Sequence, residues 1–291
     1  MANTHSNCLV CGSTNLKTLP KYAKDHLVQC RNCSFVFSHC IPSTEELNEY
    51  YKNYGAGQHE VISPITIKRY HELLDQFERY RQHGNLLDVG CGSGHFLATA
   101  KERGWKVYGT EYPASLCEVC RKKGLTIHRG ALNPTNYSGI TFDIITSFEV
   151  IEHINNPKEE LAKFHQLLRP GGLFYCTTPN FNSLQRFQMG PELNIFVYPE
   201  HISYYTKKTL AKVGRISGFK LLQILSTGFS FSRAKSKTLK REKVTGEGSP
   251  DEIARQAIEG NAVLRLAKYA VNGLLSATAT GITLKGYFEK I

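Results

Sequence analysis

Short apolar runs alternate with amphipathic stretches along most of the chain. LLDV (86–89), WKVYGTEY (105–112), FDIITS (142–147), GLFYCTTPN (172–180), FKLLQILSTG (219–228) and ITLKGYFEK (282–290) read as strands, bounded by glycine, proline or asparagine. LTIHRGALNP (125–134) reads as one more strand and its exit. Between them the period is helical. In SPITIKRYHELLDQFERYRQHG (63–84), Ile67, Tyr70, Leu73, Leu74, Phe77 and Tyr80 fall three and four residues apart, which predicts an amphipathic helix ending near Gly84. STEELNEYYKNY (43–54) opens on a Ser43/Thr44 cap followed by acids, another helix start. YGAGQHEVISP (54–64), between these helices, is a loop able to close over a ligand. HFLATAKERG (95–104), KEELAKFHQLLRPGG (158–172, stopped by Pro170 and its glycines) and TKKTLAKVGRISG (206–218, capped by Thr206) complete the alternation. Strand and helix in turn predict an α/β fold around a mostly parallel sheet. Residues 229–281 interrupt it before the last strand. They hold a helix begun by Ser249-Pro250-Asp251-Glu252, and the apolar positions of AVLRLAKYAVNGLL (262–275) are expected to pack on the core rather than on a partner chain or membrane surface.

At 291 residues the chain is long enough for one large α/β domain with additions. With 41% hydrophobic and 21% charged residues it is an ordinary globular sequence, and no run approaches the apolar length of a membrane span. The opening MANTHSNCLVCGS lacks a basic region followed by an apolar core, so no secretory signal and a cytoplasmic location are expected. Net charge is +11, concentrated in SRAKSKTLKREKV (232–244) with Arg233, Lys235, Lys237, Lys240, Arg241 and Lys243. Such a run suits RNA, acidic lipid or an anionic glycan, or is simply a solvated loop, which is the reading preferred here.

Nine cysteines without an export signal do not suggest a disulfide framework. Cys8-x2-Cys11 and Cys30-x2-Cys33, eighteen residues apart, have the spacing of two metal-binding knuckles. Each knuckle can turn both sulfurs to one point, Gly12 supports the turn after the first pair, and four thiolates close a tetrahedral structural zinc site. The expected organisation is a zinc ribbon over 1–40, a helical linker over 41–83 and an α/β domain over 84–291.

NLLDVGCGSGHFLATAKERG places Gly90, Gly92 and Gly94 between a strand and a helix, with Asp88 just before them and Cys91 within the turn. Strand, glycine turn and helix N-terminus make a ligand crevice at the carboxyl edge of a parallel sheet. The dinucleotide fingerprint wants a third glycine where His95 stands, and an acid beside the turn suits a cationic or amino-bearing ligand better than a pyrophosphate. Glu111, at the end of the second strand, can accept hydrogen bonds from both hydroxyls of a ribose.

LLDVGCGSGHF, VYGTEY, FDIITSFEVIEHINNP and LLRPGGLFYCTTPN, in that order, resemble class I S-adenosylmethionine-dependent methyltransferases. The resemblance implies a seven-stranded Rossmann-like sheet whose last strand runs antiparallel. It implies a donor pocket at Asp88, Gly90, Cys91, Gly92, Gly94 and Glu111, with Ser147 and Phe148 beside the methyl group. At the third strand Ala131 stands where the family often has an acid near the adenine.

Glu149, Glu152 and His153 follow the fourth strand. As the start of the next helix, positions i, i+3 and i+4 would share one face. Adjacent carboxylates repel unless a cation lies between them, and two carboxylates with an imidazole suit Mg²⁺, Mn²⁺ or Zn²⁺. His201, in VYPEHISYYT, could fold over the site as a further ligand. The pattern resembles ubiquinone-pathway O-methyltransferases and small-RNA 3′-end 2′-O-methyltransferases, which implicate a divalent metal holding acceptor hydroxyls. Two alternatives stay open. His153 or His201 can act as general base without metal, with Glu149 in support, or the acids can cap a helix while His153 packs in the core. The leading reading is O-methylation of a small molecule or a sugar unit. An RNA methyltransferase using the ribbon and basic run comes second. A non-catalytic donor-binding protein is third, and a homo-oligomer is open.

Overall fold

The computed structural model describes residues 3–51, 62–229 and 250–291. The basic run and most of the 54–64 loop lie outside the described residues, so neither expectation is addressed by it.

The α/β domain is built on seven strands, β4 (Asn85–Val89), β5 (Lys106–Glu111), β6 (Thr126–Arg129), β7 (Phe142–Phe148), β8 (Leu168–Pro179), β10 (Phe219–Thr227) and β11 (Thr283–Lys290). Their spatial order is β10-β11-β8-β7-β4-β5-β6, and β11 runs antiparallel to both neighbours, as expected. The order reverses between β4 and β7, which opens a crevice at their carboxyl ends. One face of the sheet buries Leu87, Ile145, Phe164, Phe174 and Phe288, and the other buries Leu74, Phe77, Leu86, Leu97 and Trp105.

Helices α2 (Pro64–Phe77), α3 (His95–Glu102), α5 (Pro157–Leu167) and α7 (Lys207–Ile216) match the periodicity, the last with a Thr206/Thr209 capping box. α1 (Thr44–Tyr51) is capped reciprocally: the Glu46 N–H donates to Ser43 Oγ at 3.1 Å and the Ser43 N–H to Glu46 Oε2 at 2.8 Å. α4 (Ala114–Lys122) and α6 (Leu184–Met189) were not foreseen. α5 stops earlier than Pro170. Leu168 already begins β8, because Phe142 of β7 pairs with it.

Asp143 pins the base of the sheet. It is fully buried, its Oδ2 accepts the N–H groups of Gln82, His83 and Gly84 at 2.7–3.0 Å, and its Oδ1 accepts Arg169 Nε at 2.6 Å. Burial opposes its charge, but Arg169 and the three amides outweigh it and hold its pKa below the usual range. The stability it contributes is therefore present above about pH 4 and lost as pH falls through its depressed pKa. Asp143→Ala strands a buried guanidinium and three amides, and should cost about 3–5 kcal/mol in urea unfolding.

The N-terminal ribbon carries β1 (Leu16–Thr18), β2 (Leu27–Cys30) and β3 (Val36–Ser38). Its sheet is completed from the α/β domain by β9 (Ser203–Tyr204), which pairs antiparallel with β3. Phe35 and Phe37 are buried in the same core as Tyr205, and the Phe35 and Tyr205 rings lie 5.2 Å apart. Ribbon and domain thus share a sheet and a core.

The insertion forms α8 (Pro250–Gly260) and α9 (Ala262–Thr278). Core packing of the apolar positions in α9 was expected, and the structure corrects this. Val263, Leu264, Leu266, Tyr269, Val271 and Leu274 are exposed, and Leu275 is the buried hydrophobic of the helix. The cause lies in the period. The inward stripe of α9 is Arg265, Lys268, Asn272 and Ser276, all partly buried, so turning the polar side inward points the apolar side out.

Candidate functional site

The glycine turn adopts left-handed backbone at Gly90, Gly92 and Gly94, with φ of 73°, 55° and 75°. The three differ in surroundings. A Cβ on Gly90 would meet Val150 Cγ2 at 2.4 Å, and one on Gly94 would meet Leu125 Cδ1 at 2.6 Å and Cys120 Sγ at 2.8 Å. Nothing lies within 4 Å of a Cβ on Gly92. Gly90 and Gly94 are required by packing, whereas Gly92 borders open space that a ligand can approach closely.

Two acids flank the turn. Asp88 is buried at the end of β4 and accepts the Thr146 hydroxyl at 2.7 Å. Burial, reinforced by the charge of Glu111, pushes its pKa up to about 8 despite that hydrogen bond. Glu111 accepts the Gly92 N–H at 2.6 Å on Oε2 and the Tyr112 N–H at 2.7 Å on Oε1. It bridges the turn and the end of β5, and each oxygen keeps a further lone pair. Cys91 lies in the turn as a buried thiol. At the exit of β7, Ser147 is fully buried and its Oγ has no hydrogen-bond partner among the described residues. Phe148 packs edge-on against Phe96 and Tyr175, with ring centroids 4.9 and 5.6 Å away. These features, an open glycine cradle between acids and an orphaned hydroxyl at the next strand end, fit a ligand carrying a ribose and a cationic group.

Beyond Phe148 the expected helix does not form. Glu149 takes left-handed backbone, φ 53°, and only Ile151–His153 makes a short 3-10 turn before α5 begins at Pro157. Glu149, Glu152 and His153 are therefore not one helical face. The set that converges is Glu152, His153 and His201, whose ligand atoms all lie within 4.8 Å of one another. Glu149 stands beside it, near enough for its charge to act on Glu152.

Glu152 is buried, and its pKa lies well above the ordinary carboxylate value because of burial and then the Glu149 charge. Its Oε2 accepts the Thr178 hydroxyl at 3.0 Å, and its Oε1 has no hydrogen-bond partner among the described residues. His201 Nδ1 lies 2.8 Å from the Ile195 carbonyl oxygen and donates to it, which leaves Nε2 as a lone pair. His153 and His201 meet edge to face with centroids 4.8 Å apart. His153 faces two carbonyl oxygens, Glu200 at 2.9 Å from Nδ1 and Glu149 at 3.1 Å from Nε2. A neutral imidazole donates to only one of these oxygens, so one ring nitrogen keeps its lone pair. A buried carboxylate oxygen awaiting a partner and a histidine fixed by a carbonyl fit a divalent metal's ligand set.

Sequence reasoning missed the residues that close this site. Tyr51 of α1 brings its hydroxyl 3.5 Å from His153 Nδ1, and the Tyr50 hydroxyl donates to Glu200 Oε2 at 2.5 Å. α1 has no buried residue of its own, so a helix bearing a tyrosine pair without a core face was the available signal. Thr178 and Glu200 had none, since each acts through partners distant in sequence.

The four ribbon thiols also converge within 4.8 Å, with Cys8–Cys33 Sγ atoms 3.4 Å apart and Cys11–Cys30 3.5 Å apart. Zinc–sulfur bonds of about 2.3 Å in a tetrahedron give sulfur–sulfur edges of about 3.8 Å. The spacing is close to that edge and far longer than a disulfide, so the thiols fit the ion.

Comparison with known proteins agrees with this geometry. A protein of Mycolicibacterium smegmatis described as "Probable S-adenosylmethionine-dependent methyltransferase" is 27% identical over 156 residues, 53% of this chain and 59% of that protein. A ubiquinone biosynthesis O-methyltransferase of Cereibacter sphaeroides is 34% identical over 103 residues, 33% of this chain and 42% of that protein. The chain thus spans about half the length of these curated relatives. Among solved structures, a SAM-dependent methyltransferase from Archaeoglobus fulgidus superposes with TM-score 0.54 at 17% identity, covering 83% of this chain and 99% of that one. The [4+2]-cyclase SpnF does so with TM-score 0.53 at 16% identity, covering 86% and 97%, so the fold alone does not fix the chemistry. Residues 59–224 match the methyltransferase-domain family, and the chain belongs to that family.

Proposed function

We propose that the protein transfers a methyl group from S-adenosylmethionine to a hydroxyl oxygen of a small molecule or sugar unit, assisted by a divalent cation at Glu152, His153 and His201. The observation that carries this reading is the buried, unpartnered Glu152 Oε1 within the Glu152–His153–His201 cluster, next to the exit of β7. Gly92 would let the donor approach the turn, Glu111 would accept its ribose hydroxyls, and Ser147 and Phe148 would line the place of its methyl group. A divalent ion in the cluster would lower the pKa of an acceptor hydroxyl. The chain's own residues then orient that oxygen in line with the sulfonium methyl, and α1 excludes water through Tyr50 and Tyr51. The ubiquinone-pathway relatives, named as O-methyltransferases, favour oxygen as the nucleophile. Cys8, Cys11, Cys30 and Cys33 would hold a structural zinc ion in the ribbon.

The test is transfer of labelled methyl into catechol and sugar acceptors, with identification of the methylated atom. Brief chelation that leaves the ribbon zinc in place should abolish transfer, and Mg²⁺ or Mn²⁺ should restore it. Full activity after chelation would leave a histidine base without metal, and label on nitrogen or carbon would contradict O-methylation.

Asp88 gives a pH prediction. With a pKa of about 8 it is mostly protonated at neutrality, so binding a cationic donor beside it expels a proton. Donor affinity should rise about tenfold per pH unit up to about pH 7, where the ligand's amino group remains protonated. Calorimetry in buffers of different ionisation enthalpy should register the released proton. A flat profile with no proton release would show that Asp88 does not ionise on binding.

A further inference from the structure

Two open grooves meet where the ribbon, the loop after β8 and α7 come together. One, of about 430 Å³, is lined by Asn182, Thr206, Lys207, Lys208 and Arg215 among others. The other, of about 420 Å³, shares Asn182, Thr206 and Lys208 and adds Tyr22, Phe181 and Arg186. No acidic residue lines either groove. Among the described residues, none of Arg186, Lys207, Lys208 and Arg215 has a carboxylate within ion-pair distance. Lys208 and Arg215 are exposed, and Lys207 is half-buried with its Nζ donating to the Ser276 carbonyl at 3.4 Å. Cations lining one depression without counter-charge raise its potential and attract an anion.

Arg186 is the fixed member of the set. Its guanidinium carbon lies 4.3 Å from the ring centroids of both Phe181 and Phe187, and its Nη1 donates to the Tyr22 hydroxyl at 3.3 Å. Its Nε is buried and has no hydrogen-bond partner among the described residues. A guanidinium carries five N–H donors in a rigid plane. Two rings and a tyrosine hold this plane in place, yet no carboxylate neutralises it. A partly buried charge of this kind costs stability unless a partner of opposite charge arrives. The cation is thus pre-oriented for a ligand, and Lys208 lines the same groove.

We propose that these joined grooves bind a phosphoryl group, carried either by the methyl acceptor or by a separate small molecule. A phosphoryl group fits better than a carboxylate. Its three outer oxygens can accept from a guanidinium fork and from ammonium groups together, whereas one guanidinium already engages both oxygens of a carboxylate. The grooves also begin close to the cluster. Thr178, whose hydroxyl reaches Glu152, stands four residues before Asn182, and His201 stands five before Thr206. The Phe181 N–H donates to the Tyr205 carbonyl at 2.8 Å, which ties the two segments together. At no more than about 3.6 Å of backbone per residue, the edge of the grooves lies within about 14–18 Å of those two residues. The anion site itself is independent of the methyl-transfer reading, and only the acceptor as carrier rests on that reading.

The experiment is calorimetric titration of the full-length protein with inorganic phosphate at constant ionic strength, with sodium chloride as the matched control. Phosphate should bind saturably. Lys208→Glu should weaken it by about tenfold or more, and Arg186→Lys, which keeps the charge but loses the fork, by a smaller factor. Lys208 is exposed and an acid suits the first turn of α7, so melting temperature and S-adenosylmethionine affinity should be unchanged in Lys208→Glu. Lys122→Glu, the same change of charge on α4, should bind phosphate as the wild type does. Methyl transfer to sugar acceptors with and without a phosphate group then identifies the carrier. A KM lowered about tenfold by the acceptor's phosphate, with the advantage lost in Lys208→Glu, assigns the group to the acceptor. A rate that free phosphate alters with an unphosphorylated acceptor assigns it to a separate molecule. No saturable phosphate binding, or equal binding by Lys208→Glu, would overturn the proposal whichever way the transfer assays fall.

Discussion

Glu152→Gln should lower kcat by about 10²–10⁴-fold while donor affinity changes by less than about twofold. Glutamine keeps the shape and can still accept the Thr178 hydroxyl, which now reaches Oε2 at 3.0 Å. It cannot supply a negative charge. Burial and Glu149 drive Glu152 towards its protonated form, and glutamine is a close mimic of that form. The variant therefore separates two roles. If Glu152 serves only as a neutral buried acid, Glu152→Gln works like the wild type. If it serves as a carboxylate that holds a cation, activity collapses while the melting temperature holds or rises. His201→Asn should behave alike, because an asparagine amide can stand in for Nδ1 in the bond to Ile195 while the Nε2 group is lost. Single-turnover rates with saturating donor are the measurement.

Cys30→Ser should cost about 4 kcal/mol or more of stability and, in whatever protein remains folded, most of the activity. The second effect follows from how the ribbon is joined to the site. β3 pairs with β9 two residues after His201, and the Ser38 N–H donates to the Ile202 carbonyl at 2.8 Å. The Ile202 N–H in turn donates to the Glu152 carbonyl at 2.9 Å. On the other side of the loop, Asp25 Oδ1 accepts the Tyr198 N–H at 3.2 Å, and His26 meets the Tyr198 ring with centroids 4.9 Å apart. The ribbon thus grips the segment carrying Glu200 and His201 from both ends. Loss of the proposed ribbon zinc should release His201 before it unfolds the seven-stranded sheet. Thermal melts with metal content measured on the same samples would show two transitions in Cys30→Ser where the wild type shows one. A single transition at the wild-type temperature would mean that the ribbon folds without metal.

The parts of this arrangement carried by local signals were legible in the sequence. Strand, glycine turn and helix start are adjacent at 85–102, so the crevice at the carboxyl edge of the sheet could be placed from a single stretch. The C-x2-C spacing likewise encodes its own geometry. What failed was long-range or depended on orientation. The helix expected at Glu149 is replaced by left-handed backbone at that residue and a short turn at Ile151–His153. Glu149 there donates its N–H to the Thr177 carbonyl at 3.0 Å, which extends its engagement with the neighbouring strand. Periodicity identified α9 but not which side of it faced the domain, because a reversed amphipathic helix has the same period as an ordinary one. The two-residue strand at Ser203–Tyr204, which joins ribbon to site, is too short to leave any pattern. Tyr50 and Tyr51 reach the cluster from about a hundred or more residues away in sequence, a contact that only the fold creates.

The central claim is that the turn at Gly90–Gly94 binds a methyl donor, and calorimetric titration of the intact protein tests it most directly. S-adenosylmethionine should bind at one site per chain, NAD should give no heat, and Gly92→Asn, which tolerates the left-handed backbone and fills the open side of the turn, should abolish binding without unfolding the protein. Binding of NAD in place of S-adenosylmethionine, or donor binding that survives Gly92→Asn, would contradict it.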